Sequence, residues 1–280
     1  MMCGKHYQKE NNLFNLSWNT RIKAIQALCY IGGPIVIIFN FNPWYLFFAW
    51  AWYWFAGHMG VSLGLHRAFA HRSWAPRNKV IAAVIHFFAV ISAVGSSVTW
   101  TGTHRMHHKF SDTDKDPHRI DGSSTWTRIK YWFNYWPSHR VETKYVKDLL
   151  KDPMHRWFHR HYFKVLGGWM LLLLLIHPDL FMYGFMVSTM FTLHTISWIT
   201  VGAHIFGHTD HECDSSKNTA IMGTYMWGEG WHNNHHAKPW TYEFGWGAKQ
   251  PDIGKWMIRL LGNPETLQHA YQEKPKIVKS

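Results

Sequence analysis

Two long apolar runs without charge come early in the chain, residues 25–41 and 44–65, separated only by an Asn42-Pro43 break. The second is long enough, at about 1.5 Å per residue in a helix, to cross a hydrocarbon layer, and the pair predicts a helical hairpin. A polar middle follows. From 165 to 206 the only formal charge is Asp179, set in a His177-Pro178-Asp179 turn. That turn divides the run into helices over 165–177 and 180–206, a second hairpin. A fifth apolar stretch, 80–100, also has the length to cross. Near the C-terminus Ile253, Trp256, Met257, Leu260 and Leu261 repeat at helical spacing ahead of Gly262-Asn263-Pro264. This pattern predicts a short amphipathic helix lying on a membrane surface or packed on the core.

Composition strengthens the membrane reading. There are 18 Trp, 18 Phe and 12 Tyr, with only 16% charged residues, an aromatic load suited to bilayer interfaces. The mean hydropathy of -0.24 is depressed by 22 histidines and by those aromatics, so the local runs carry the argument. With turns at Asn42-Pro43 and at 177–179, all 29 Lys and Arg fall at the opposite end of the spans from the turns. Basic loops mark the cytoplasmic side, which places the polar segments and both termini on the cytoplasmic or stromal face. The net charge of +12 follows from topology alone or serves attraction for acidic headgroups, a phosphate-bearing substrate or an acidic electron donor, and nucleic acid is not needed to explain it. Cys3, Cys29 and Cys213 are far apart and form no Cys-x-x-Cys motif, so nothing asks for an oxidising compartment. Lys5, Lys9 and Glu10 precede any apolar run, and no cleaved signal peptide is expected. The chain reads as one domain over 1–280, all-α and integral to the membrane. Four transmembrane helices in two hairpins would stand beneath a cytosolic helical cap over 66–164 and 207–280.

Three histidine clusters sit at span edges: His66 with His71, His104-Arg-Met-His107-His108, and His232-Asn-Asn-His235-His236. In His-x-x-His-His the first, fourth and fifth positions share one helical face, so one cluster can offer two or three nitrogens to a metal. Eight imidazoles exceed what one ion takes, and two ions are implied. All-nitrogen ligation suits Fe, Zn or Cu without choosing among them. If the clusters share a centre they lie on one side, so 80–100 cannot cross and should be an interfacial or protein-buried helix. His204, at the end of the fourth span, is a better further ligand than His208. His58, His86 and His194 lie inside apolar runs and are expected as hydrogen-bonded core imidazoles. Asp112, Asp116 and Glu229 are the nearest carboxylates to orient liganding rings. Two non-enzyme readings fit less well: a haem cytochrome would pair histidines across spans, and a metal transporter would place ligands at mid-membrane.

At these residues the chain resembles the membrane fatty acyl desaturase family. The resemblance rests on the His-x-x-x-x-His box, then His-Arg-Met-His-His-Lys-Phe-Ser-Asp with Lys115-Asp116-Pro117-His118, then Gly228-Glu229-Gly230-Trp231-His232-Asn233-Asn234-His235-His236, in order from about residue 22 to 262. It implies a four-helix stem under a cytosolic cap, an enclosed tunnel for an acyl chain, and two irons held by nine histidines. By position those nine are His66, His71, His104, His107, His108, His204, His232, His235 and His236. The implied reaction is oxygen-dependent insertion of a cis double bond, commonly at position nine, with hydroxylases of fatty acids or carotenoids as the enzymatic alternative. In animal acyl-CoA members, related to stearoyl-CoA desaturase, an Arg-Asp pair precedes the second box, whereas this chain has Gly102-Thr103. The family's Asn four residues before the late histidine is Thr200 here. Bacterial and cyanobacterial acyl-lipid members are more similar around the second and third boxes, which tilts the substrate toward an acyl-lipid over an acyl-CoA or acyl carrier. The sequence holds no His-Pro-Gly-Gly word of a fused haem domain, so electrons are expected from ferredoxin or cytochrome b5. The basic segment 109–164 is the expected dock.

Overall fold

The computed structural model describes residues 17–133 and 141–271, and among these every regular element is helical. Helix α1 is Trp18–Phe39, capped by Ser17, whose side chain accepts from the Thr20 amide. Helix α2, Pro43–Trp52, starts where the Asn42 side chain accepts from the Trp44 and Tyr45 amides and Pro43 occupies the first turn. Such a cap satisfies amides that a helix start leaves orphaned, and proline's missing N–H is harmless there. The helix continues without a break as π-helix over Tyr53–Gly57 and Met59–Ala70, so it carries the first histidine box on its own last turn.

Helix α3 is Lys79–Ile91 and α4 is Ser97–Phe110. The stretch 80–100 is therefore not one helix. Ala93 and Gly95 take positive φ of 55 and 127°, which ends α3, and Ser96 starts α4 through a capping box with Thr99. After α5 (Thr125–Phe133) come the short α6 (Lys147–Lys151) and α7 (Pro153–Arg160). Helix α8 is Tyr162–Ile176. Beyond His177, α9 (Pro178–Phe181) runs through a π-helical Met182–Val187 into α10 (Ser188–Thr200), and the rod closes with a 3₁₀ turn at Gly202–His204. Helices α11 (Ala220–Tyr225), α12 (His232–Ala237) and α13 (Ile253–Leu261) follow.

Two rods are long and apolar enough to cross a membrane, Trp18–Phe39 and Pro178–His204. These rods and their neighbours carry a girdle of outward apolar side chains, among them Ile35, Phe47, Leu171 and Leu175, a surface that water would not tolerate. The two hairpin turns lie together: Asn40 Nδ2 donates to Asp179 Oδ1 at 3.0 Å, and the Tyr183 hydroxyl donates to the Asn40 carbonyl. The histidine boxes gather at the other ends of these helices. The elements start earlier or run further than the hydropathy limits suggested, because caps and turns end a helix where charge does not. The C-terminal helix α13 packs on the core through Ile258, while Trp256 and Leu260 face outward.

Helix α3 lies almost backbone to backbone against the π-helical rod. A Cβ on Gly60 would fall 2.4 Å from the Phe88 carbonyl carbon, and one on Gly64 would fall 2.7 Å from the Ile85 side chain. Small residues four apart allow such an approach. Gly60→Leu is expected to force α3 off the rod and to destabilise the protein by at least about 1–3 kcal/mol, the usual penalty of overpacking. Gly167→Leu, where a Cβ meets nothing within 4 Å, is the control. Thermal unfolding in detergent should show a lowered midpoint for the first and none for the second.

Candidate metal centre

The first box owes its geometry to the π-winding. In an α-helix residues five apart point to different sides, but here the His71 amide donates to the His66 carbonyl at 3.1 Å. This five-residue bond brings His71 back over His66, so both rings face the same side. The second box uses the face of α4 that carries His104, His107 and His108. In the third, α12 turns His232, His235 and His236 inward while Asn233 and Asn234 anchor its back. The Asn233 Oδ1 accepts from the Asp210 and His211 amides, and Asn234 Nδ2 donates to Phe244 O and Gln250 Oε1. Gly228, with φ of 93° and room for no side chain beside Asp252, allows the sharp turn that leads into this box.

All nine histidines come together in two adjacent groups: His66, His71, His104, His108 and His235 in one, His107, His204, His232 and His236 in the other. Within each group one nitrogen per residue lies within 4.8 Å of all the others. His71 Nε2 is 2.8 Å from His104 Nε2, His235 Nε2 is 3.0 Å from His66 Nε2 and 2.9 Å from His108 Nε2, and His204 Nε2 is 3.2 Å from His232 Nε2. Burial first, and then the neighbouring imidazoles, push His71, His104, His108, His232 and His235 well below the usual histidine range. They are neutral rings with lone pairs to give.

The remaining ring nitrogens are held from behind. His66 Nδ1 donates to Glu229 at 2.6 Å, His107 Nδ1 to Asp116 at 3.0 Å, and His236 Nδ1 to Asp214 at 2.5 Å. His204 Nδ1 meets the Ser215 hydroxyl at 3.0 Å, which in turn donates to Asp112 at 2.7 Å. Burial alone would raise the Glu229 carboxyl, but His66, Arg67 and the Ser62 hydroxyl overcome it and lower it. With the proton at Nδ1, each Nε2 presents a lone pair. His235 Nε2 faces both His66 Nε2 and His108 Nε2, a single proton on it could satisfy only one of these contacts, and His236 Nε2 is buried with no hydrogen-bond partner. A cation between them removes both problems, since two nitrogens bound at right angles about 2.1 Å from one ion stand about 3 Å apart. The residues fit a metal pair.

Of the carboxylates expected from sequence, Asp116 and Glu229 touch ligand rings directly and Asp112 acts through Ser215. Asp214, Ser215 and His118 were missed. His118 joins His107 and Asp116 in a third buried group; its Asp-Pro-His setting was visible, whereas Asp214 reaches His236 only because a loop folds back across α12. His208 is exposed and pairs with Asp210, away from both groups. His58, His86 and His194 stay outside them too: His58 Nδ1 bonds Trp54 O, His86 bonds Ala82 O and His155, and His194 accepts from Trp132 Nε1.

A narrow cavity of about 50 Å³ runs between the rods from Tyr53 and Thr192 to the centre. Val61, Ile196, Ile199 and Trp100 give it apolar walls, and His66, His104, His107 and His232 stand at its inner end. At the far end the Tyr53 and Thr195 hydroxyls meet at 2.6 Å. Thr200, where the family Asn was noted, lines this cavity. Gly102 is covered by Val141, whose Cγ1 would lie 2.0 Å from an added Cβ.

A family model described as fatty acid desaturase matches residues 42–244. The sn-1 stearoyl-lipid 9-desaturase of Anabaena variabilis is 29% identical over 88% of this chain and 92% of its own. The sn-2 palmitoyl-lipid 9-desaturase of Nostoc sp. (strain 36) is 28% identical over 79% of this chain and 81% of its own. An acyl-CoA 5-desaturase of Anemone leveillei is 30% identical over 76% and 70%.

Proposed function

The chain belongs to the fatty acid desaturase family and is a fatty acyl desaturase; we propose that it inserts a cis double bond at position nine of a lipid-bound saturated acyl chain, at a pair of irons and with molecular oxygen. The observation that carries this reading is the junction of both histidine groups with one apolar-walled cavity. The five-histidine group would hold one iron and the four-histidine group the other. An iron pair supplies the activated oxygen that an unactivated methylene requires, because no side chain is oxidant enough.

Everything else falls to the protein. A saturated chain has no polar handle at its reacting carbon, so the cavity walls must hold it by shape, with depth set by the Tyr53–Thr195 floor. Glu229, Asp116, Asp214 and the Asp112–Ser215 pair fix ring orientation and tautomer. Position nine and the lipid carrier rest on the names of the two cyanobacterial relatives, and the carrier also on Gly102-Thr103, which stands where animal acyl-CoA members carry Arg-Asp and whose Gly102 is covered by Val141. We read α1 with 43–70, and α8 with Pro178–His204, as four spans in two hairpins. In a single-domain chain the remaining segments form a cap on the cytoplasmic or stromal side, and ferredoxin or cytochrome b5 delivers the electrons.

Expression in a host without unsaturated lipids, followed by mass spectrometry with double-bond location, tests the whole. Glycerolipids with a cis double bond at position nine are expected; hydroxylated chains would transfer the protein to the hydroxylases, and a bond elsewhere would remove the assignment of position. The carboxylates are tested separately. Glu229→Gln should weaken iron binding about 10–100-fold, the usual effect of losing a partner behind a ligand, as read by competition with a calibrated chelator.

A further inference from the structure

We propose that a basic basin beside His71 is the docking surface for an acidic one-electron carrier protein, and that electrons reach the metal pair through the five-histidine group. The inference rests on the iron reading above. It narrows the broad basic segment 109–164 to a few side chains and adds two, Arg72 and Arg105, from outside it.

The centre lies nearest to solvent beside the five-histidine group. In the five-histidine group His71 and His108 are partly exposed, whereas all four rings of the other group are buried. Against the His71 side lies an open concavity lined by Arg72, Arg105, Lys144, Lys147 and Lys151, with Asp148 as its one carboxylate. Arg72 follows His71 and Arg105 follows His104, so the wall of the basin is one peptide bond from two of the five imidazoles.

The basin is rigidly built. Arg105 donates to Ala70 O at 2.8 Å, Phe69 O at 2.7 Å and both Asp148 oxygens at 2.8 and 2.9 Å. Arg72 also pairs with Asp148, through Nε at 2.9 Å. Asp148 is thereby spent on the floor and leaves the rim positive. Lys147 and Lys151, four apart on α6, share a face, and Lys144, paired with the exposed Glu142, extends it. Val146 and Leu149 pack on Val98 of α4, and Val141 seats on Gly102, so this surface is fixed to the helix that carries the second box.

The chemistry requires such a visitor. Oxygen takes four electrons to become two waters; the two C–H bonds supply two of them. The other two, with two protons, come from outside: R–CH2–CH2–R′ + O2 + 2 e⁻ + 2 H⁺ gives R–CH=CH–R′ + 2 H2O. Each electron oxidises one reduced carrier, so the surface must bind, release and bind again. Charge complementarity at a polar rim serves that, since it speeds encounter without demanding a tight complex. A lipid headgroup would need the same charges, but not their place at the exposed edge of the centre.

The test uses the iron-loaded full chain in lipid nanodiscs, with an acidic plant-type ferredoxin and the soluble domain of cytochrome b5 as probes. In the triple variant Lys144→Glu, Lys147→Glu, Lys151→Glu, the Kd for the carrier that supports turnover should rise at least about tenfold, with a matching rise in its KM. Desaturation driven by dithionite should be unchanged. The Gln triple should fall between, and unchanged thermal midpoints would exclude misfolding. Unaltered Kd and KM, or no binding of either probe to the wild type, overturns the proposal. Equal loss with dithionite overturns it too, and assigns the basin to the lipid. Iron-free protein that still desaturates would instead remove the reading beneath it.

Discussion

Replacing His235 by alanine is expected to abolish desaturation, lowering product formation by at least about 100-fold, the upper range for disturbing a partner behind a ligand. The position is central: its Nε2 lies 3.0 Å from that of His66 and 2.9 Å from that of His108. It therefore links the first, second and third boxes, and the adjacent His236 belongs to the other group. Alanine removes a donor to one ion and loosens the seat of the second. Iron per chain, measured by plasma mass spectrometry, should fall from two to one or fewer, while the thermal midpoint of the metal-free protein stays near that of the wild type. His208→Ala is the contrast. That ring is exposed and outside both groups, so iron and product should be unchanged. A His235→Ala protein with full iron and full turnover would sink the assignment of the ligands.

Much of this centre is legible in the chain because its donors announce themselves by type and spacing. His-x-x-His-His at the ends of apolar runs puts imidazoles on one face, and the demand that three such boxes share a side argued against a crossing by 80–100, which in the structure falls in two helices. What the demand could not supply was the break at Ala93–Gly95, which depends on two positive-φ residues and a capping box. The interval of five in the first box did carry a signal that was not used, because only π-winding brings residues five apart to one face. The partners behind the rings divide by their nearness in sequence to a box: Asp112 and Asp116 closely follow the second, and Glu229 closely precedes the third. Asp116 lies within ten residues of His107 and was found. Asp214 and Ser215 lie on a loop tied down by Asn233 and by the Asp112 contact to Ser215, long-range bonds that no local pattern encodes. The histidines of the two groups are therefore clearer in sequence than the parts that hold them in register.

One of those parts carries the second large effect. Arg67, next to His66, is 0% exposed, as is its partner Asp252. Its guanidinium donates to Tyr242 O at 2.8 Å, Trp227 O at 2.6 Å and Asp252 at 3.1 Å, and lies 3.8 Å from the centre of the Phe244 ring. Asp252 also accepts from the Phe244 amide at 2.8 Å and caps α13 at the Lys255 amide, 3.0 Å. This pair pins the C-terminal segment to the end of the first-box rod. It also holds Phe244 with its ring 4.2 Å from that of His235 and 5.1 Å from that of His66. Removing Arg67 strands Asp252 without a counterion, and removing Asp252 leaves Arg67 only the longer contact to Glu229, 3.7 Å from its Nε. Arg67→Met is therefore expected to destabilise the protein by about 3–5 kcal/mol, and Asp252→Leu by a similar amount. The double variant Arg67→Met/Asp252→Leu should be less destabilised than the two single losses added together, because the second change removes the charge that the first had stranded. Denaturant unfolding of the metal-free protein in detergent gives all three values. Strict additivity would mean that the two charges are stabilised independently by backbone and ring, and that their pairing does not fasten the C-terminal segment.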